Sequence, residues 1–158
     1  MNAIEVRNLT KVYKDRTAVD HLNLDIREGQ LFALLGPNGA GKTTTIRMLS
    51  CLALPTGGDA LLAGESVVQN PAGVRAVINV SPQETAVAQK LSVRENLELI
   101  AEIYGMNRRE ASEMAEKMLR DFSLTERARD RAKKLSGGMQ RRLSIAMALI
   151  SNPHILFL

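Results

Sequence analysis

Hydrophobic positions along this 158-residue chain switch between two periods, and the switches mark out its elements. Residues 4–12 alternate loosely, and LNLDI at 22–26 alternates cleanly, as a half-buried strand does. Between them YKDRTAVD predicts a turn, with His21 in the same region. After Glu28-Gly29 comes LFALLG, a solid apolar run of the kind that crosses the middle of a parallel sheet. It leads into PNGAGKTTT and a helical pattern from residue 43 to about residue 54, closed by Pro55 and Gly57-Gly58. ALLAG predicts a short strand, NPAGVRA a helical turn, and VINVS at 77–81 a further strand ended by Pro82.

In the second half the period lengthens. LSVRENLELIAEIYG opens with a capping box, Ser92 with Glu95 three residues on, and Leu97, Ile100, Ala101 and Tyr104 follow at helical spacing until Gly105. A second helix from about residue 109 to 122 carries Ala111, Met114, Met118 and Phe122 on one face and charges opposite. LTERARDRAKK reads as a charged, solvated surface stretch. LSGGMQRRLSIAMALISNP starts with glycines and becomes helical, with Met139, Leu143, Ala146, Met147 and Ile150 in one stripe. HILFL then predicts a buried strand. The alternation of strand and helix argues for an α/β domain with a mostly parallel sheet, its first two strands forming an antiparallel edge or subdomain.

Composition sharpens this only in places. Hydrophobic residues make up 45% of the chain, enough for a core, and with no Trp and few other aromatics that core must be aliphatic. The net charge of +4 weakly favours anionic surroundings, but basic and acidic residues alternate, so no direct nucleic-acid contact is expected. The single Cys51, within an apolar helical pattern, excludes a disulfide framework and is expected to be an inert core or boundary thiol. No window reaches the ~18 apolar residues of a membrane span, and the first residues lack the pattern of a signal peptide.

The chemistry concentrates in two stretches. Gly36-Pro37-Asn38-Gly39-Ala40-Gly41-Lys42-Thr43 fits G-x-x-x-x-G-K-[ST] in its strand–loop–helix context. Glycines let successive N–H groups point at phosphate oxygens, and the helix N-terminus adds positive potential. Lys42 is expected to reach the β- and γ-phosphates, Thr43 to ligate Mg²⁺, and Thr44 to complete the cradle. Some 90 residues on, Leu135-Ser136-Gly137-Gly138 leaves a helix start stripped of side chains, with free N–H groups and a hydroxyl available to an anion.

These two stretches together resemble the phosphate loop (Walker A) and signature motif of ATP-binding cassette (ABC) ATPases, and the resemblance runs along nearly the whole chain. It implies a P-loop NTPase fold of ABC type: a β part and loop-bearing core over about 1–90, a helical subdomain over about 91–134, and the signature helix with a Walker B-like strand over 135–158. It implies ATP and Mg²⁺ as cofactors, with Gln83 of SPQE as the Q-loop glutamine near Mg²⁺ and the γ-phosphate. Tyr13 corresponds to the aromatic that stacks on adenine; an aromatic beside a turn also serves as packing. Ser136 and Gly138 would complete the site of a second subunit in a head-to-tail homodimer. Arg141 and Arg142 are expected to be solvated or backbone-contacting. The wording of LLGPNGAGKTTTIRML and LSGGMQRRLSIAMAL looks most like separate ATPase subunits of bacterial exporters of the daunorubicin-resistance type. Transmembrane permease subunits would be the partners, at the cytoplasmic face of the cell membrane.

HILFL resembles the Walker B strand, which in the family continues into an Asp that holds the Mg²⁺ shell and a Glu that polarises water. Neither follows within residues 1–158. The expectation is a chain cut within that strand, which holds the triphosphate-binding groups yet binds ATP poorly and turns it over little or not at all. His154, just before the strand, is not the family's switch histidine and is expected in a loop. A soluble cassette ATPase acting on ribosomes or DNA, and a non-catalytic remnant, are the alternatives to a transporter subunit.

Overall fold

The computed structural model describes residues 1–81 and 86–158. The chain divides into two units, Met1–Ile78 and Asn79–Leu158.

In the first unit, β1 (Asn2–Tyr13) and β2 (Arg16–Arg27) form a long antiparallel hairpin. Only Lys14 and Asp15 lie between the strands, and Lys14 adopts the positive φ that a two-residue hairpin turn needs. Most of the predicted turn is therefore strand, and His21 lies within β2. Cross-strand pairing, with Val19 buried as one anchor, outweighs the polar composition of RTAVDH. After α1 (Lys42–Leu49) come β3 (Gly57–Leu62) and β4 (Glu65–Ser66), giving a sheet in the order β2-β1-β3-β4. Ile4 pairs with Ile26 on one side and Leu62 on the other, and all three are buried. Met48 and Leu49 of α1 and Val74 of α2 (Pro71–Val77) are buried as well.

Two further expectations fail in this unit. The helix after the glycine-rich loop ends at Leu49, about a turn and a half early. The Leu52 N–H donates to the Arg47 carbonyl at 2.8 Å and the Cys51 N–H to the Met48 carbonyl at 3.0 Å, with Cys51 at φ 56. That is a Schellman closure, so Cys51 lies just outside the helix in a left-handed conformation. The apolar run at 31–35 carries no strand ladder, and Leu31 and Leu35 are 96% and 86% exposed. A parallel strand needs a neighbour's N–H and C=O groups along its edge. The edges of the antiparallel sheet are β2 and β4, and neither pairs with this run. The apolar pattern reports a demand for burial and says nothing about where the partner edge comes from.

The second unit takes in most of β5 (Ile78–Val80), which pairs with β6 (Ile155–Phe157), the parallel pair of the fold, so the middle of HILFL does form a strand, with only Ile155 buried and Leu158 exposed. His154 is exposed ahead of it. Between them lie α3 (Val93–Ile103), α4 (Arg108–Asp121) and α5 (Gly137–Leu149). Their buried faces join Leu97, Ala101, Ala111, Met118, Leu119 and Leu143 in one cluster, with Met114, Phe122 and Met147 packed against it. No aromatic ring is among the buried core residues, as the composition required.

The stretch expected to be solvated surface is instead a strap. It forms two 3₁₀ turns, Thr125–Arg127 and Ala132–Lys134, and buries Leu124, Ala128 and Ala132 at four-residue intervals. Its backbone also caps α3. The Val93 and Arg94 N–H groups donate to the Asp130 and Ala128 carbonyls, each at 3.0 Å. The Glu95 N–H donates to Ser92 Oγ at 3.1 Å, so the first-turn donors of α3 are all satisfied. The small apolar residues that do this are masked in sequence by the Arg and Lys residues between them.

Candidate functional site

Residues 36–40 form an exposed loop that runs directly into α1. The Ala40 N–H donates to the Pro37 carbonyl at 3.2 Å, folding the loop on itself around Asn38. Gly39 and Gly41 both take φ 84, a left-handed conformation that side chains disfavour. At Gly41 a Cβ would run into the Ala18 carbonyl oxygen of β2, so the end of the loop is seated directly on the hairpin. Gly41 is also the helix cap, so α1 begins without a side-chain acceptor for its first N–H groups.

The Lys42 ammonium curls back over this loop. It donates to the carbonyls of Gly36 at 2.5 Å and Pro37 at 2.8 Å. Thr43 is exposed, Thr44 half-buried, and Thr45 buried, where its hydroxyl donates to the Gly41 carbonyl at 3.0 Å. This graded burial follows the helical turn and leaves the Thr43 hydroxyl open to a ligand. The glycine cradle, the ammonium and the open hydroxyl suit a phosphate chain with a divalent cation. Among the described residues no group of three or more His, Cys, Asp and Glu comes together as a metal site.

Tyr13 ends β1, pairs with Arg16 across the turn, and is 45% exposed. The Lys11 ammonium sits 5.0 Å from its ring centroid, a cation–π contact on one face. Gln83 lies outside the described residues.

In the second unit, Ser136 caps α5 by accepting the Met139 N–H at 3.3 Å, leaving its hydroxyl hydrogen to donate elsewhere. A Cβ on Gly137 or Gly138 would meet open space, so the helix start is bare. Arg142 donates to the Phe122 carbonyl at 3.0 Å, the backbone contact expected of it. Arg141 donates to Ser81 Oγ at 3.3 Å, just ahead of residues 82–85.

Three features escaped the sequence reading. Arg16 lies over the loop, its Nη2 3.4 Å from the point where Gly39 would carry a Cβ. Asn79 Nδ2 donates to the Ala148 carbonyl at 2.9 Å, Tyr104 Oη at 3.0 Å and Ser151 Oγ at 3.2 Å. Asn96, buried on α3, holds the Ala88 backbone through both its N–H and its carbonyl. A polar residue interrupting an apolar stripe was the available signal for Asn96. Nothing local marked Arg16.

Comparison with known proteins gives the family. The family model for the ABC transporter matches residues 19–158. The Nod factor export ATP-binding protein I of Cupriavidus metallidurans is 41% identical over 155 residues, spanning 98% of this chain and 51% of that protein. The daunorubicin/doxorubicin resistance ATP-binding protein DrrA of Streptomyces peucetius is 44% identical over 157 residues, spanning 99% and 47%. The chain thus spans about half the length of these curated relatives. Among solved structures, a dimeric ATP-binding cassette in a post-hydrolysis state bound to ADP and Pi matches with a TM-score of 0.81. That pair is 30% identical and spans 97% of this chain and 72% of the other. An ATP-binding subunit of an ABC transporter matches with a TM-score of 0.79 at 28% identity, spanning 96% and 63%. On the family match and the P-loop NTPase fold, this chain belongs to the ABC transporter family.

Proposed function

We propose that the protein is the ATP-binding and ATP-hydrolysing subunit of an ABC transporter, an exporter by its likeness to relatives named for export and drug resistance. The observation that carries this is the loop: two left-handed glycines, an uncapped helix start and the Lys42 ammonium converge on one surface. Loop N–H groups and Lys42 bind the β- and γ-phosphates, with Gly36 through Ala40 wrapping them and Thr44 closing the rear. Tyr13 orients adenine with its exposed ring. The Thr43 hydroxyl and Gln83 would hold Mg²⁺, which when bound neutralises charge on the phosphate oxygens.

The bare start of α5 has the same chemistry: Ser136 and Gly138 offer a hydroxyl and N–H donors to the γ-phosphate held by a second subunit in a head-to-tail homodimer. Binding of ATP closes that dimer, and hydrolysis reopens it. Transmembrane permease subunits at the cytoplasmic face of the cell membrane receive the motion. Among the described residues no helix is long and apolar enough to cross a membrane.

The test is calorimetric titration of MgATP into the protein and its Lys42→Ala variant. Loss of binding in the variant supports the reading; unchanged affinity refutes the phosphate-loop role.

A further inference from the structure

The end of the β1–β2 hairpin carries two side chains toward nucleotide chemistry, and only one belongs to a motif. Tyr13 and Arg16 are direct partners across the turn. Arg16 is exposed, and among the described residues its guanidinium makes no hydrogen bond and no ion pair. Neither Asp15 nor Asp20 pairs with it; Asp20 instead lies against the His21 ring. Its Nη2 reaches over Gly39, which has no side chain to displace it. Lys42 is the only charged residue within 36–43, and it is drawn to the Gly36 and Pro37 carbonyls. Arg16 therefore places a second positive charge over a different part of the same loop. A guanidinium with N–H donors in a planar fork is suited to phosphate oxygens, and among the described residues no carboxylate is bonded to it.

We infer that Arg16 is a further phosphate-contacting residue of the nucleotide site, donating to the phosphate chain on the Gly39 side of the loop. This rests on the nucleotide-binding reading above. It predicts a contact to the phosphates and none to the base or sugar, and a contribution that salt weakens, since the side chain is exposed.

The experiment titrates MgATP and, separately, inorganic tripolyphosphate into the full chain and its Arg16→Ala, Arg16→Lys and Lys42→Ala variants, at low and high KCl. Arg16→Ala should weaken both ligands about tenfold at low salt, the size of one partly screened charge-assisted hydrogen bond. The deficit should shrink at high salt, and Arg16→Lys should recover part of it. Wild-type affinity in Arg16→Ala alongside lost binding in Lys42→Ala would overturn the inference while leaving the nucleotide reading intact. Weakened ATP binding with unchanged tripolyphosphate binding would also overturn it, assigning Arg16 to the base or ribose. Unchanged ATP binding in Lys42→Ala would remove the reading itself, and this inference with it.

Discussion

The hydroxyls of Ser81 and Ser144 face each other at 3.1 Å, with both residues buried. Ser81 follows β5 and immediately precedes residues 82–85, which include Gln83, while Ser144 lies on α5, the helix that begins at the LSGG segment. The bond therefore ties the approach to one expected nucleotide-sensing residue to the helix bearing another. Replacing Ser144 by Ala removes one buried partner of Ser81, which keeps the Arg141 guanidinium as a donor, and should cost about 1 kcal/mol, the net worth of one hydrogen bond. The double variant with Ser81→Ala should cost less than the sum of the two single changes, since the bond between the two hydroxyls is lost only once. Urea unfolding of both single variants and the double variant measures this, and full additivity would contradict it.

Helices α1, α3 and α4 end in the same Schellman geometry, with Cys51, Gly105 and Ser123 at the left-handed position. Only Gly105 is the residue that conformation favours. Cys51→Gly should therefore stabilise the protein by about 0.5–1 kcal/mol, the relief of the Cβ penalty less the added freedom of the unfolded chain. A lower urea midpoint in the variant would show that packing of the half-buried thiol matters more. Burial pushes that thiol's pKa up against the opposing charge of Arg75, so slow alkylation is expected near neutral pH.

Glu95 closes the capping box of α3, accepting the Ser92 N–H at 2.6 Å. The Ser92 backbone bond, reinforced by the Ser92 hydroxyl, holds its carboxyl below the usual glutamate range. A folded-state pKa lowered in this way adds stability above the unfolded-state pKa and loses it as pH falls through the folded one. Acidification from about pH 6 to about pH 3 should therefore weaken the wild type more than Glu95→Gln, which keeps an acceptor but cannot titrate. Equal pH dependence in chemical unfolding would count against the link.

Gly39 and Gly41 share the same φ, yet an added Cβ meets different neighbours. At Gly41 it strikes the Ala18 backbone; at Gly39 it meets only the end of a flexible arginine. Gly41→Ala should cost about 2–4 kcal/mol and shift the loop, whereas Gly39→Ala should cost about 1 kcal/mol from the backbone conformation alone. Thermal midpoints of the two variants separate the cases.

Much of this was readable from residues, because the signals are local. The capping box at Ser92 and Glu95, the stripe through Leu97 and Ala101, and the glycine loop ending in Lys42 each depend on spacing within one element. What escaped depends on partners. The run at 31–35 looks like a strand because its demand for burial is local, whereas the edge it would pair with is not. The Leu124, Ala128, Ala132 strap was hidden because its arginines and lysines dominate the pattern while its alanines do the packing. Cys51 was placed inside a helix because apolar periodicity continues past the point where two backbone bonds close it.

The carbonyls of Gly36 and Pro37 that hold the Lys42 ammonium set a threshold for entry to the loop. An arriving anion does not meet a bare positive charge; it must outbid two acceptors built into the chain at no cost in association. On the proposed reading a polyphosphate would displace them by answering the ammonium and several loop N–H groups at once, so that the loop would discriminate by the number of oxygens offered, before any base is recognised.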